Sequence, residues 1–289
     1  MLSIFIAYIA EILFSKPKQF LRPAEAINSI TSKIENYLRR RARNAKLAGV
    51  CLVLVVAGIV FLAVEFIVWD FGLLGRAPGV IAKAIFIYMA LSIKSVNIGL
   101  TKLKDAARGI DNDQLIRNRL DLVSENTLKD IVGVLFYTFF AGVGFMWVYK
   151  SLNMLCNSIG HKSRHSEDLG WFVLRLEAIF NYVPSRICVL LVPFASYMSK
   201  MGFKNSFYSA SREGIANNAP CEAAFAGALG VQLGGLVYYG GMPAHRPYVG
   251  KTVNELNQGL VEKALKIMYA ASFIMILAMI IVNYFWNVL

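Results

Sequence analysis

The stretch from Ser124 to Thr127, Ser-Glu-Asn-Thr in sequence, and Asp130 lie at the edge of an apolar segment that runs from Ile131 to Tyr149. Polar side chains at such a boundary are costly unless they are hydrated, paired or used by the protein, so they indicate a candidate site. Carboxylate and amide oxygens are hard ligands of the kind that Mg²⁺ prefers. The stretch therefore predicts a site for a metal ion or for a substrate that carries one.

Further polar clusters follow along the chain, and we predict that they line the same site. They include arginines, whose guanidinium groups bind phosphate through paired hydrogen bonds. The candidates are Asn153, Asp168, Trp171, Arg175, Asn181, Arg186, Asn217, Glu222, Tyr239, Gly240, Gly241 and Arg246. A site with both acidic and basic groups suits a phosphorylated substrate or a nucleotide. The alternative is that these residues only hydrate the interior of a helix bundle.

Composition indicates a polytopic membrane protein. The 289 residues are 57% hydrophobic, against roughly 45–50% in soluble domains. The formal net charge of +12 comes with clustered basic residues, which in a membrane protein indicate orientation and attraction to anionic lipid. We predict no nucleic-acid partner, since no basic surface interleaved with aromatic residues is visible. The four cysteines form no CxxC pair.

The pattern of apolar runs predicts an all-α bundle with re-entrant or half-spanning helices and a polar site at its cytoplasmic face. Residues 1–46 form a half-span and an amphipathic basic helix that begins near Pro23, and 47–100 form a transmembrane hairpin. Residues 101–266 are the motif-bearing core, and 267–289 are the final span. Basic residues concentrate on both flanks of the hairpin, which predicts a multi-pass protein of the cell membrane with these flanks in the cytoplasm.

Two apolar runs leave their topology open. The run from Ile131 to Tyr149 is long enough to cross a bilayer, but Gly142 and Gly144 in its middle permit a tight turn. A re-entrant hairpin would keep the polar clusters before and after it on one side. The run from residue 187 to Met201 has the same ambiguity. In the first hairpin we predict that Glu65 and Lys83 pair with each other.

Taken in order, several strings resemble the cobalamin-biosynthesis integral membrane family, the adenosylcobinamide-phosphate synthases. The resemblance covers roughly Tyr88 to Met268. It is carried by the strings Ser124-Glu125-Asn126-Thr127, Asn153 with Gly160, Asp168-x-Gly170-Trp171-x-x-x-Arg175-Leu176, Asn181-Tyr182-x-Pro184-x-Arg186, Glu222-Ala223-Ala224-x-Ala226-Gly227-Ala228-Leu229-Gly230, and Tyr239-Gly240-Gly241 followed by Arg246-Pro247-x-x-Gly250.

The resemblance implies an amide-forming ligase that joins adenosylcobyric acid to aminopropanol phosphate with ATP and Mg²⁺. In that case a corrinoid, a phosphorylated amino alcohol and the bilayer are its partners, and a homo-oligomer or a complex with other corrinoid-pathway proteins is left open. By this analogy Glu125, Asp130 and Glu222 hold the metal, and Asn126 and Asn217 orient substrate. By the same analogy Arg175, Arg186 and Arg246 bind the negatively charged phosphate groups. Gly240 and Gly241 would let backbone N–H groups approach a phosphate.

Departures from the family pattern keep two alternatives open. Cys156 and Asn157 stand where an aspartate-serine pair is usual, and Glu177 and Ala178 replace two aspartates. These changes are compatible with a ligase that acts on another acid and amine. They are also compatible with a non-catalytic membrane sensor or scaffold derived from the same fold.

Overall fold

A computed structural model describes residues 1–14, 22–41, 44–96, 99–100, 112–160, 167–239 and 242–288, and it confirms the all-α fold. The helices of these ranges are α1 (Leu2–Leu13), α2 (Arg22–Arg41), α3 (Ala45–Leu73), α4 (Arg76–Ala90), α5 (Asn112–Asn126), α6 (Gly133–Leu155), α7 (Glu167–Met198), α8 (Phe203–Ser209), α9 (Pro220–Leu229) and α10 (Gln258–Val288). Strands β1 (Leu233–Tyr239) and β2 (Met242–Val249) pair with each other.

Four helical segments are long and apolar enough to cross a membrane, which agrees with a polytopic membrane protein. They are Ala45–Leu73, Asn112–Ser158, Gly170–Met198 and Gln258–Asn287. Large apolar side chains remain exposed on these helices, for example Leu62 and Phe66 on α3 and Ile281 on α10. In water such exposure would be unfavourable, whereas in a bilayer the same side chains contact lipid.

The chain forms two compact units that alternate along the sequence. The first comprises residues 1–91, 136–181 and 238–244, and in it α1 and α3 pack on α4 while α2 packs on α3. The second comprises residues 92–135, 182–237 and 245–289, and in it α9 packs against α8, α5 and α10. The division of the sequence into regions 1–46, 47–100, 101–266 and 267–289 stays a prediction.

The Ile131 to Tyr149 run, whose topology the sequence left open, contains a turn. Helix α6 is interrupted at Gly142, whose φ of 86° and ψ of 177° are not helical. In a straight helix, Tyr137 and Tyr149 would be about 18 Å apart along the axis. Their ring centroids are instead 4.7 Å apart, and Tyr137 also contacts Phe145 at 5.9 Å. The two arms of α6 therefore fold back towards each other.

Glu65 stabilises this turn rather than pairing with Lys83. Its Oε1 accepts a hydrogen bond of 3.0 Å from the backbone N–H of Gly144, which is in the first turn of the second arm. N–H groups at a helix start have no partner within the helix, so a carboxylate there satisfies a donor. Among the described residues Glu65 and Lys83 form no ion pair, so that prediction was wrong.

The second helix of the predicted 47–100 hairpin is shorter than that range requires. Helix α4 ends at Ala90, and Leu91 adopts an extended conformation with ψ of 143°. Ser92, Lys94 and Ser95 follow, and serine hydroxyls compete with helical hydrogen bonds. The resulting helix of 15 residues extends only about 22 Å, less than the ~30 Å hydrocarbon core.

The run from residue 187 belongs to a longer helix than its composition suggested. Helix α7 comprises 32 residues and contains both Pro184 and Pro193. Interior prolines remove one hydrogen bond each and are tolerated in membrane helices where neighbouring groups compensate. The segment Gly170–Met198 is accordingly long enough to cross.

A left-handed glycine directs the chain from α9 into the strand pair. Gly230 has φ of 65° and ends α9, a position that favours glycine because it has no Cβ. The Gly230 carbonyl accepts hydrogen bonds from the N–H groups of Val253 and Asn254, which anchor the chain after β2. This connection holds the end of β2 near α9.

We predict that Gly142→Ala destabilises the protein by about 1–3 kcal/mol, because a φ and ψ of this kind are accessible almost only to glycine. A Cβ at Gly142 would meet no atom within 4 Å, so the cost comes from the backbone. Gly58→Ala on helix α3 is the matched control, since a Cβ is equally free of contacts there. Unfolding in detergent measures both; an unchanged Gly142→Ala protein would contradict the turn.

Candidate functional site

The acidic face of α5 begins the site in the second unit. Asp121, Glu125 and Lys129 follow one another at intervals of four residues, so they share one side of the helix. Lys129 Nζ lies 2.8 Å from Glu125 Oε1, and both side chains are partly exposed. The π-helical turn Thr127–Val132 follows α5 and carries Lys129. An extra residue in a helical turn often occurs at functional sites.

Glu222 and Arg246 form the strongest charge contact of the site. Glu222 lies in the first turn of α9, where Pro220 begins the helix and a negative charge is favourable. Arg246 comes from β2 and approaches within 2.8 Å of Glu222 Oε2. Glu222 is only 6% exposed, while the Arg246 side chain is 28% exposed. A buried carboxylate is thus joined to a guanidinium that reaches the surface.

Asp121 lies against this pair. It is 5% exposed, and its side chain is within hydrogen-bonding reach of Glu222. When both groups are ionised neither can donate a hydrogen bond. Both oxygens of Asp121 and Oε1 of Glu222 then have no hydrogen-bond partner among the described residues. The site therefore contains acceptors that the protein itself leaves unsatisfied.

Burial raises the pKa of Glu222 above its usual value. The Arg246 guanidinium opposes this by favouring the carboxylate, and the negative charge of Glu125 raises the pKa further. Removal from water is the largest influence, because a carboxylate loses its hydration when it is buried. Glu222 is therefore easier to protonate than an exposed glutamate.

Ser124 is held in the structure rather than free to bind a substrate. Its hydroxyl donates to the Asp121 carbonyl at 2.9 Å, and its carbonyl accepts from the Cys221 thiol at 3.3 Å. A hydrogen bond with Cys188 raises the pKa of Cys221, and burial raises it further. Cys221 is thus a neutral thiol that joins α9 to α5.

Asn126 and Thr127 also use their side chains within the helix. Asn126 Nδ2 donates to the Leu122 carbonyl at 2.7 Å, and the Thr127 hydroxyl donates to the Val123 carbonyl at 2.7 Å. Such bonds to carbonyls one turn earlier stabilise the local conformation. These contacts favour a structural role for both side chains, while the Asn126 amide oxygen accepts no hydrogen bond from the described residues.

The predicted metal ligands do not assemble as a protein-built metal site. Among the described residues no group of three or more histidine, cysteine or acidic side chains is close enough to hold an ion. Glu125 contacts Lys129 and Glu222 contacts Arg246, while Asp130 lies on the π-helical turn. The donor set does not fit a resident Mg²⁺, although Mg²⁺ often arrives with phosphates and uses one or two carboxylates.

Trp171 and Arg175 come together in the first unit. Trp171 is 45% exposed, and the guanidinium carbon of Arg175 lies 5.6 Å from the centre of its ring. Lys46 Nζ lies 6.0 Å from the same centre. Cations over an indole are held by its negative face. The result is an exposed aromatic surface with two positive charges, suited to an anionic group.

The amides of Asn153 and Asn181 form a second polar region of the first unit. Asn181 Oδ1 accepts a hydrogen bond of 2.7 Å from the Tyr149 hydroxyl. Asn153 is 4% exposed, and neither its Nδ2 nor its Oδ1 has a hydrogen-bond partner among the described residues. Cys156 Sγ lies 2.8 Å from Glu177 Oε2. The two replacements for family acidic positions therefore contact each other.

The remaining predicted residues lie apart from these contacts or outside the described residues. Arg186 stacks on Tyr182 with its guanidinium carbon 4.5 Å from the ring centre. Asn217 is exposed in a turn. Asp168 lies on α7 and Tyr239 on β1, but their side chains are outside the described residues, as are Gly240 and Gly241 altogether.

Asp121 and Lys129 were missed by the sequence analysis. Asp121 lies one turn before Glu125 and outside the recognisable string, which starts at Ser124. The spacing of four residues between Asp121, Glu125 and Lys129 was a sufficient signal, because it places charged groups on one helix face.

Known proteins resemble this chain over most of its length. The sequence model of the family described as "CobD/Cbib protein" matches residues 4–112 and 105–268. The chain is 28% identical to a cobalamin biosynthesis protein CobD of Clostridium perfringens, over 97% of this chain and 98% of the relative. It is 26% identical to a CobD of Geobacter metallireducens, over 94% and 93%. For a CbiB of Salmonella arizonae the identity is 22%, over 92% of each chain. No solved structure matches at a significant level.

The raised pKa of Glu222 predicts how stability depends on pH. The folded state holds the proton more tightly than the unfolded state, so Glu222 makes the protein less stable as the pH rises from about 4.3 through the raised folded-state pKa. Glu222→Gln removes this contribution, so the free energy of unfolding should decrease less steeply as the pH rises. Glu255→Gln, at an exposed position, is the control. Equal slopes for wild type and Glu222→Gln in unfolding experiments would contradict the assignment.

Proposed function

The chain belongs to the CobD/CbiB family, and from this membership we propose that it takes part in cobalamin biosynthesis as an amide-forming ligase. The proposed substrates are adenosylcobyric acid, aminopropanol phosphate and ATP, and the product is adenosylcobinamide phosphate. The observation that carries the proposal is the buried Glu222–Arg246 pair beside Asp121, in a chain whose relatives are named cobalamin biosynthesis proteins.

The reaction needs an activated acid because a carboxylate resists attack by an amine. In the proposed course, a carboxylate oxygen of the corrinoid attacks the γ-phosphorus of ATP, and ADP leaves. The amine nitrogen then attacks the carbonyl carbon, and phosphate leaves with the electrons of the C–O bond. The substrate ammonium loses one proton before the attack and the nitrogen loses a second after it, one to the departing phosphate and one to solvent, so the products are the amide, ADP and phosphate. The enzyme must stabilise the charge that moves onto phosphate oxygens.

The second unit supplies charged groups of both signs for this chemistry. Arg246 is part-exposed and carries the positive charge nearest to Glu222, so we assign it to a phosphate of the substrates. Lys129 is a second cation, held beside Glu125. Glu125 and Glu222 are assigned to positioning, with Asn126 as a contact to substrate. Asn217 and Arg186 are retained as proposed substrate contacts of the same unit.

The first unit has an exposed surface of its own that could bind an anionic group. Trp171 with Arg175 and Lys46 provides an exposed indole and two cations, which suits an anionic substituent of a large substrate. Asn153 offers a buried amide with both donor and acceptor unsatisfied. Asp168, Asn181, Tyr239, Gly240 and Gly241 remain proposed contacts by family resemblance.

ATP and Mg²⁺ enter the proposal as co-substrate and accompanying ion. When bound with ATP, Mg²⁺ would neutralise charge on its phosphates, with Glu125, Asp130 or Glu222 as supplementary ligands. No step is assigned to the ion, because the described carboxylates do not form a metal site by themselves. We also propose that the active face and the basic loops are cytoplasmic, where ATP is available.

The direct test is synthesis by the purified chain in lipid nanodiscs. With adenosylcobyric acid, aminopropanol phosphate and Mg-ATP, we expect adenosylcobinamide phosphate and one ADP for each amide, measured by mass spectrometry and coupled ADP detection. Absence of the product would reject this reaction. Formation of an amide only when other acids or amines are supplied would instead identify a ligase of different specificity.

Glu125→Gln is expected to lower turnover by about 100-fold or more, since preorganised charges in a dry site contribute on that scale. The substitution removes the charge that pairs with Lys129 while keeping the shape of the side chain. Glu255→Gln, at an exposed position, should retain wild-type turnover in the same assay. Normal turnover by folded Glu125→Gln would remove Glu125 from the site.

A further inference from the structure

Asp121 is a buried carboxylate that has the Gly234 backbone N–H and the Glu222 side chain close by. It is 5% exposed, and neither of its oxygens has a hydrogen-bond partner among the described residues. A carboxylate removed from water without a partner is strongly unfavourable. An arrangement of this kind is compensated when a ligand supplies the missing donors.

The nearby cations are already directed to other groups. Arg246 contacts Glu222, and Lys129 contacts Glu125. On the same helix as Asp121, Arg117 donates to the Gln232 carbonyl and Arg119 donates to the Gln258 side chain. Asp121 thus remains without a cation of its own at hydrogen-bonding distance.

If Asp121, Glu125 and Glu222 are all ionised, the charges around Asp121 sum to one excess negative charge, which either a proton shared by Asp121 and Glu222 or a cationic ligand would neutralise. Three carboxylates, Asp121, Glu125 and Glu222, interact with two cations, Lys129 and Arg246. A ligand group with a single positive charge would balance this set. A divalent ion is less suitable, since no three acidic, histidine or cysteine side chains among the described residues are placed to hold one.

The number of unsatisfied acceptors points to the kind of cation. Oδ1 and Oδ2 of Asp121 and Oε1 of Glu222 are buried and without a hydrogen-bond partner among the described residues. The two side chains lie within hydrogen-bonding reach of each other, so a small group between them can contact both. A primary ammonium has three N–H donors and no acceptor. Three donors match three oxygens.

We propose that Asp121, together with Oε1 of Glu222, binds the primary ammonium group of the amine substrate. The assignment rests on the proposed function for the identity of that substrate, aminopropanol phosphate. Arg246 lies on the other side of Glu222 and is part-exposed, so a phosphate on the same small molecule has a cation nearby. Asp121 is accordingly a substrate-binding residue that selects an amine over an alcohol.

The first experiment measures binding without any reaction. Thermal unfolding of the full-length protein in nanodiscs is followed with aminopropanol phosphate and with propane-1,2-diol phosphate, which carries a hydroxyl in place of the ammonium. The wild type should be stabilised at concentrations at least tenfold lower by the amine. Asp121→Asn should abolish this preference, whereas Asp113→Asn, exposed near the start of the same helix, should keep it.

The second experiment separates amine binding from acid activation. Hydroxylamine is largely uncharged at neutral pH, so ATP-dependent formation of a hydroxamate from adenosylcobyric acid does not need an ammonium site. Asp121→Asn should raise KM for aminopropanol phosphate at least tenfold and leave the hydroxamate rate within about twofold of wild type. A purely structural role would instead lower both rates and the unfolding temperature together.

Several results would overturn the assignment. They are an equal response of the wild type to the amine and the hydroxyl analogue, an unchanged preference in folded Asp121→Asn, or stabilisation by Mg²⁺ alone that depends on Asp121. If Asp121→Asn does not fold, the comparison of the two ligands on wild-type protein still decides. A wild type that distinguishes the ligands but forms neither amide nor hydroxamate would reject the ligase and retain the ammonium site.

Discussion

A carboxylate that leaves water must find hydrogen-bond donors, and this requirement explains the most informative contacts of the structure. Glu65 on the apolar helix α3 finds the backbone N–H of Gly144. Glu222 finds the guanidinium of Arg246. The Gly234 backbone N–H lies close to Asp121, but neither Asp121 oxygen forms a hydrogen bond of standard geometry within the described part of the chain. The first case stabilises a turn, the second joins two elements, and the third leaves capacity for a ligand.

In the second unit, local backbone conformation leaves carboxylate oxygens available to a ligand. Gly230 ends α9 in the left-handed conformation, and its carbonyl holds the residues after β2, so Arg246 reaches the first turn of α9. Cys221 fixes the same turn to α5 through the Ser124 carbonyl. Glu222 and Asp121 are therefore positioned by backbone contacts that do not consume their own oxygens.

The sequence predicted the helical membrane class because long apolar runs have few structural alternatives. It allowed a turn at Gly142, since two glycines in an apolar run are an unusual local signal, but it left open whether the run crosses or turns. It failed at α4, where Ser92 and Lys94 follow a run that looked continuous. For the site, the recognisable string drew attention to Ser124 and Thr127, whose side chains bond to their own helix. Asp121 required the structure, because composition does not reveal which oxygens lack a donor.

The fold-back of α6 has a consequence for how the chain is counted across the bilayer. By length and composition, Asn112–Ser158 would be scored as one crossing. Since α6 turns at Gly142 and its arms approach each other through Tyr137 and Tyr149, this helix is a hairpin and not one straight passage. A hydropathy plot, which reads composition and not chain direction, would not register this reversal.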